Sequence, residues 1–313
     1  MVSIGIDFTT TGLIANAQRR SSMPNSQSLY LPADFIAFMT DEMHSYVVPL
    51  IKSKNDEYFV VNVDVALSDN TSEYTIPTRA QGGSLRDIVL VNSAGIELEL
   101  PKINPDSVKF ATVTQFGIYL RDDKVVFYPS ITTAPSGVSL RFKYERMPND
   151  LVLVSNAGYI TSINAGALQI TLSGVPSDWS TSTTVDIIRQ QPLFTSIKDD
   201  QVITGIGGNV LTLDAMPSGI AVGQWVAQSR TSPIAQLAYE AHKLIAQRGA
   251  IKLCEALEAT TAMKNAAAIY EQMAEKFLGT ITPRVQTGPK KIVNRTGLFS
   301  RRASWNQLLN VRP

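Results

Sequence analysis

Tyr159-Ile-Thr-Ser-Ile-Asn-Ala-Gly-Ala-Leu-Gln-Ile-Thr-Leu-Ser-Gly-Val-Pro-Ser and Val202-Ile-Thr-Gly-Ile-Gly-Gly-Asn-Val-Leu-Thr-Leu-Asp-Ala-Met-Pro-Ser-Gly are two versions of one pattern. Each holds Ile-Thr-x-Ile, a turn bearing glycine, an apolar strand and a Pro-Ser turn. The first runs on to Val185-Asp-Ile-Ile-Arg-Gln, the second to Trp225-Val-Ala-Gln-Ser-Arg. Short β-favouring runs broken by Gly and Pro read as a hairpin followed by a return strand. One copy cannot bury its apolar face alone, so the two are expected to pair into a small barrel or sandwich.

The strand pattern extends upstream. Tyr58-Phe-Val-Val-Asn-Val, Ile88-Val-Leu-Val, Phe116-Gly-Ile-Tyr-Leu, Lys124-Val-Val-Phe-Tyr and Val138-Ser-Leu-Arg-Phe-Lys-Tyr are short and rich in β-branched or aromatic residues. Gly, Pro, Asn and Asp separate them, as between strands. Residues 57–229 therefore read as one β-rich inserted domain.

Its flanks are helical. From Pro32, Phe35, Phe38/Met39, Met43, Tyr46/Val47 and Leu50 recur at three- and four-residue steps, one stripe on a helix with Pro32 in its first turn. Pro49 is expected to kink or end it. Ser232-Pro233 reads as the next helix start, followed by Leu237, Ala241, Leu244 and Ile251. Thr260-Thr261 divides this helix from a second one carrying Met263, Ala266, Tyr270 and Phe277. Gly279 and Pro283 are its stop signals. The expected fold class is α+β: a helical bundle carrying a large β-rich insertion, with extended N- and C-terminal arms. The segments are an N-terminal strand or arm (1–31), a bundle helix (32–56), the insertion (57–229), the C-terminal helices (230–279) and a basic arm (280–313).

Composition narrows the chemistry. The 313 residues are 44% apolar, enough for a core. Cys254 is the one cysteine, which excludes an intrachain disulfide framework and a cysteine zinc site. His44 and His242 are too few and too far apart for a histidine metal centre. No run approaches the ~20 apolar residues of a membrane span. The opening MVSIGIDFTTTGLIANAQRR places its basic pair after the apolar part, the reverse of a secretory signal, so the chain is expected to be soluble, made in a reducing compartment and free of membrane.

Net charge is +1 but unevenly placed. From Thr280 onward lie Arg284, Lys290, Lys291, Arg295, Arg301, Arg302 and Arg312 and no acid, so this segment carries +7 and leaves −6 for the remainder. Ile292, Val293, Leu298, Phe299, Trp305, Leu308 and Leu309 interleave with those charges. Solvating tails rarely keep so many large apolar groups, so an arm that orders on a partner is expected. Its contact residues are assigned to Lys290, Lys291, Arg295, Phe299, Arg301, Arg302 and Trp305. A protein groove is favoured over nucleic acid, because aliphatics suit a groove.

No complete catalytic set emerges. Ser3-Ile-Gly-Ile-Asp-Phe-Thr-Thr-Thr-Gly is similar to the first phosphate turn of sugar kinases and Hsp70-type ATPases, but Thr9 replaces its glycine and no second phosphate loop follows. Gly205-Ile-Gly-Gly-Asn leads to another strand, so it reads as a hairpin and not a dinucleotide loop. Asp122-Asp123, Asp199-Asp200 and Asp41-Glu42 are expected at turns or on a helix surface. Cys254 is expected to be a buried helix residue. No cofactor, metal or catalytic residue is assigned, and the chain is expected not to be an enzyme.

The helix from Ala33 through Ile51, Glu57-Tyr-Phe-Val and Tyr74-Thr-Ile-Pro-Thr-Arg-Ala-Gln-Gly-Gly-Ser-Leu-Arg-Asp-Ile resemble virion structural proteins of tailed bacteriophages. Tyr239-Glu-Ala-His-Lys-Leu-Ile-Ala, Ala266-Ala-Ala-Ile-Tyr-Glu-Gln-Met-Ala and the basic tail resemble head-to-tail adaptor (connector) proteins. That resemblance implies a twelve-membered ring at the portal vertex of the virion, assembled in the host cytoplasm. The partners it implies are the portal protein, a tail protein and double-stranded DNA passing without sequence-specific contact. The alternatives are a tail fibre or receptor-binding protein, or a capsid-stabilising virion protein.

Overall fold

The computed structural model describes residues 7–21, 29–104, 116–190 and 194–281, with only the backbone of 81–84. The described residues of Met1–Asn55 and Pro148–Thr282 make one compact unit, and those of Asp56–Met147 make another. The β-rich stretch is thus divided at Met147/Pro148: its second half belongs with the helices and not with its first half.

In the first unit the repeat forms a closed six-stranded barrel. Its strands are β9 (Ala157–Asn164), β10 (Gln169–Leu172), β11 (Thr184–Ile188), β12 (Ser196–Gly207), β13 (Val210–Leu213) and β14 (Trp225–Gln228). The order around the barrel is β10-β13-β12-β11-β14-β9, with every neighbouring pair antiparallel. Exchanging β9, β10 and β11 with β12, β13 and β14 leaves that order unchanged. The third strand of each copy crosses to the other copy: β11 lies between β12 and β14, and β14 between β11 and β9. Period-two alternation fills the interior with Ile160, Ile170, Leu172, Val185, Ile187, Ile203, Leu211, Leu213 and Val226, and Trp179 is packed with them. Closure leaves no free sheet edge, which explains why neither copy makes a sheet alone.

The helices of this unit are α1 (Thr10–Arg20), α2 (Pro32–Glu42), α3 (Val48–Lys52), α4 (Tyr239–Ala256) and α5 (Thr260–Ile281). The chain is therefore mixed, helices and strands together, as expected of an α+β protein. Segment 1–31, read as a strand or arm, holds the helix α1 over Thr10–Arg20, while residues 1–6 of the strand reading lie outside the described residues. α1 has weak intrinsic propensity, and packing forms it: Leu13 and Ala17, four apart, are buried, while Arg19 and Arg20 end it favourably for the helix dipole. α1 and α2 both pack on α4. Gly249 permits the α2 contact, since a Cβ there would stand 2.7 Å from Met39 Cγ.

Pro49 does not end its helix, which continues as α3 to Lys52. Lacking an N–H and crowding the carbonyl four residues back, it is preceded by a π-helical turn, Met43–Val47, in which the Val48 N–H reaches Met43 O. Ser232 does not cap a helix, either. Thr231–Ser232 is a short strand, β15, parallel to β8 (Asp150–Leu151), and α4 starts at Tyr239. α5 does begin at Thr260, but it passes Gly279 and continues to Ile281.

The second unit has two sheets, β1-β7-β3-β4 and β2-β6-β5. They comprise β1 (Val60–Ala66), β2 (Glu73–Thr75), β3 (Ala80–Val91), β4 (Glu97–Glu99), β5 (Gly117–Arg121), β6 (Lys124–Tyr128) and β7 (Ser139–Arg146). All five upstream runs read as strands are strands. Both sheets share one core, with Ile88, Leu90, Leu140 and Phe142 from the first and Tyr74, Ile118, Val125 and Phe127 from the second.

Candidate functional site

The arm residues Lys290, Lys291, Arg295, Phe299, Arg301, Arg302 and Trp305 lie outside the described residues. The remaining candidates can be placed one by one. Gly205-Ile-Gly-Gly-Asn is the β12–β13 hairpin, with Gly208 at φ +62°, and no helix follows it. Cys254 is buried in α4, and burial pushes its thiol pKa up, away from nucleophilic use. Asp122-Asp123 is the β5–β6 turn, as expected. Asp199-Asp200 lies within β12 and not at a turn. Among the described residues no group of three metal-ligating side chains occurs. No helix there is long and apolar enough to cross a membrane.

Asp41-Glu42 departs from its expectation as a solvated pair. Glu42 is only 2% exposed and pairs with the guanidinium of Arg248 on α4. The Arg248 guanidinium carbon lies 3.6 Å from the Tyr46 ring centroid and 5.1 Å from that of Tyr270 on α5. Burial pushes the Glu42 carboxyl pKa up, and Arg248 opposes that shift. The arrangement is a clamp joining α2, the π turn, α4 and α5. Neither Glu42 nor Arg248 carries a local signal of it, because they stand 206 positions apart.

A second buried carboxylate fastens the barrel. Asp186 on β11 is fully buried; its Oδ2 accepts from Asn149 Nδ2 at 2.6 Å and the Arg230 N–H at 3.0 Å, and its Oδ1 from the Asp200 N–H at 3.0 Å. Asn149 also donates to Thr231 O. The barrel is thus tied to the β8/β15 pair that leads to α4.

His44 lies in the π turn with Nε2 2.9 Å from Asp150 Oδ1. His242 is buried in an aromatic nest: its ring centroid lies 5.6 Å from that of Phe8 and 5.0 Å from that of Phe194. Burial depresses its pKa to about 4, against which hydrogen bonding to the Leu237 carbonyl acts weakly. Neither histidine has a serine or cysteine nucleophile bonded to it among the contacts of the described residues.

The Asp7–Gly12 stretch runs into α1, not into the second hairpin strand of an ATPase turn. Asp7 Oδ1 accepts the Thr9 N–H at 2.9 Å, and the Thr10 N–H bonds Pro233 O at 2.8 Å. Gly12 is required here: an added Cβ would sit 2.1 Å from Asp7 O. Between this turn, α1 and the first turn of α4 opens a cleft of about 470 Å³, walled by Phe8 and Tyr239 and edged by Arg19, Arg20 and Lys243.

The cleft gathers four charged side chains, Asp7, Arg19, Arg20 and Lys243, in its lining. No protein-family model matches the chain, and a search of curated proteins finds no similar one. Function therefore rests on the physics of the chain itself. Its two most informative surfaces are this cleft and α5. Of the 22 residues of α5 only Ala266, Ala274 and Phe277 are buried, and Ile269 is 48% exposed.

Proposed function

We propose that the chain is a head-to-tail adaptor of a tailed bacteriophage, a structural ring component of the virion and not an enzyme. The observation that carries this reading is α5 together with the sequence that follows it. A long helix covered along one face only is succeeded by a segment with seven bases, no acids and nine large apolar groups. A ring subunit needs a side face for its neighbour and an arm that crosses to another protein, and these features suit both needs. In this reading the helices form a bundle that makes the ring wall, twelve copies to the ring. The arm, through Lys290, Lys291, Arg295, Phe299, Arg301, Arg302 and Trp305, orders on the portal. A tail protein docks on the opposite side. Outside the arm the charge is −6, which gives the phosphates of passing double-stranded DNA little to hold.

Native mass spectrometry of the full chain, alone and with a portal ring, tests the reading. Expected is a discrete ring, or loading of the portal by about twelve chains, with loading lost on truncation before Thr280. A stable trimer indifferent to portal overturns it in favour of a fibre or receptor-binding protein.

A further inference from the structure

We infer that the cleft between α1 and the start of α4 binds a small phosphorylated ligand with a planar apolar body, a nucleoside phosphate being the chemical class that carries both parts. The inference does not depend on the adaptor reading.

Its first support is uncompensated charge. Arg19 bonds the Ala15 carbonyl at 3.2 Å and Asn16 Oδ1 at 2.9 Å. Arg20 bonds Gln247 Oε1 at 2.7 Å and the Met273 sulfur at 3.5 Å. Both sets of acceptors are neutral. Lys243 is exposed at the same rim, and none of the three has a carboxylate partner among the described residues. Asp7 is the one acid in the lining, and its Oδ1 is engaged by the Thr9 N–H. Arg20 is held below its ordinary pKa by burial and by the adjacent Arg19 charge. An arginine does not escape such crowding by losing its proton, so the remedy is an anion from outside.

The second support is the wall. Phe8 and Tyr239 meet edge to face at 6.1 Å and 87°, and Tyr239 is 42% exposed. Phe8 is braced from behind by Phe194 and His242, each with its ring centroid 5.6 Å away, so the surface is fixed before any ligand arrives. A rigid aromatic wall beside three cations suits a flat ring joined to a phosphate. The volume of about 470 Å³ falls within the ~300–1,000 Å³ of small-molecule sites. The cations are gathered at one concavity, whereas a duplex-binding surface spreads them along a face.

The test is isothermal titration of the full chain with ADP, inorganic phosphate and adenosine at low and moderate salt. ADP is expected to bind with Kd below about 1 mM, with phosphate and adenosine each about tenfold weaker or more. The Arg19→Gln/Lys243→Gln pair, both at exposed positions, is expected to lose about tenfold at unchanged thermal midpoint, and Tyr239→Ala severalfold. The proposal is overturned by absence of ADP binding in the wild-type chain, by equal binding in the charge variant, or by phosphate binding as tightly as ADP. It is overturned as well if a short DNA duplex displaces ADP and binds more tightly, which would make the cleft a nucleic-acid backbone contact.

Discussion

Arg248 lies with its guanidinium carbon 3.6 Å above the Tyr46 ring, and the same guanidinium is the ion partner of buried Glu42. Two helical elements far apart in sequence are thereby locked by one side chain. Truncating that side chain leaves a carboxylate in a dry site, and breaking a buried pair in this way typically costs about 3–5 kcal/mol. Arg248→Met is therefore expected to lower the urea midpoint severely. Glu42→Gln with Arg248→Met removes both charges and is expected to recover at least half of that loss. Arg248→Lys keeps the charge but loses the planar stack and is expected to fall between. Equal destabilisation by the single and the double variant would show that the stack, and not the buried charge, holds the clamp.

His242 makes stability depend on pH. The unfolded chain takes up a proton near the ordinary 6.5, and the folded chain resists until about 4. Stability present above pH 6.5 is therefore lost as pH falls from 6.5 toward 4. The full loss is on the order of 3 kcal/mol for a gap of that size. Denaturant midpoints measured across this window are expected to drop in the wild type and to drop less in His242→Gln, which has nothing to titrate there. Parallel pH profiles for the two proteins would place the proton uptake elsewhere.

The repeat was legible in sequence because its strands carry local signals: period-two alternation, Gly-bearing hairpins and matching Pro-Ser turns name each strand, whereas closure itself rests on the distant β11–β14 and β14–β9 pairings. The same holds for the strands of the second unit and for the α4/α5 break at Thr260. What sequence could not show is decided by long-range packing. α1 reads as a polar stretch because only Leu13 and Ala17 mark its buried stripe, and α4 supplies the rest. Ser232-Pro233 has the chemistry of a helix start, yet the β8/β15 pairing claims it, and Ser232 Oγ bonds the Ile234 backbone. The β-rich stretch shows no composition change at Met147/Pro148, where the two compact units divide. For the cleft, only the pair Arg19-Arg20 was visible; Lys243 and Tyr239 join it through the fold.

Asp186 satisfies three donors from three separate segments, so its replacements grade by how many they strand. Asp186→Ala removes the acceptor of the Arg230 and Asp200 amides and one of the two acceptors of the Asn149 side chain, at about 1–3 kcal/mol for each group that stays dry. Asp186→Asn keeps the shape but turns one acceptor into a donor facing donors, and about 2 kcal/mol is expected. Hydrogen exchange supplies the sharper readout: the Arg230 and Asp200 amides are expected to lose protection before those of β10 and β13. Loss of protection throughout the barrel at once would mean that Asp186 supports the whole closed sheet and not its junction with β8 and β15.

Ile170 and Leu211 occupy the same position in the two repeat copies and are also register partners across β10 and β13, so the exchange axis of the barrel passes between them. Both are fully buried in the one interior cluster. Pseudo-equivalent sites with the same surroundings are expected to leave cavities of similar size. Ile170→Ala and Leu211→Ala are each expected to cost about 2–5 kcal/mol, and to agree within about 1 kcal/mol. Because the two side chains are direct partners, the double variant is expected to depart from the sum of the singles by about 0.5–3 kcal/mol. The check is a set of four urea transitions. Unequal single costs with strict additivity would show that the copies, though matched in topology, are packed as independent halves, and the symmetric account of barrel stability would then fail.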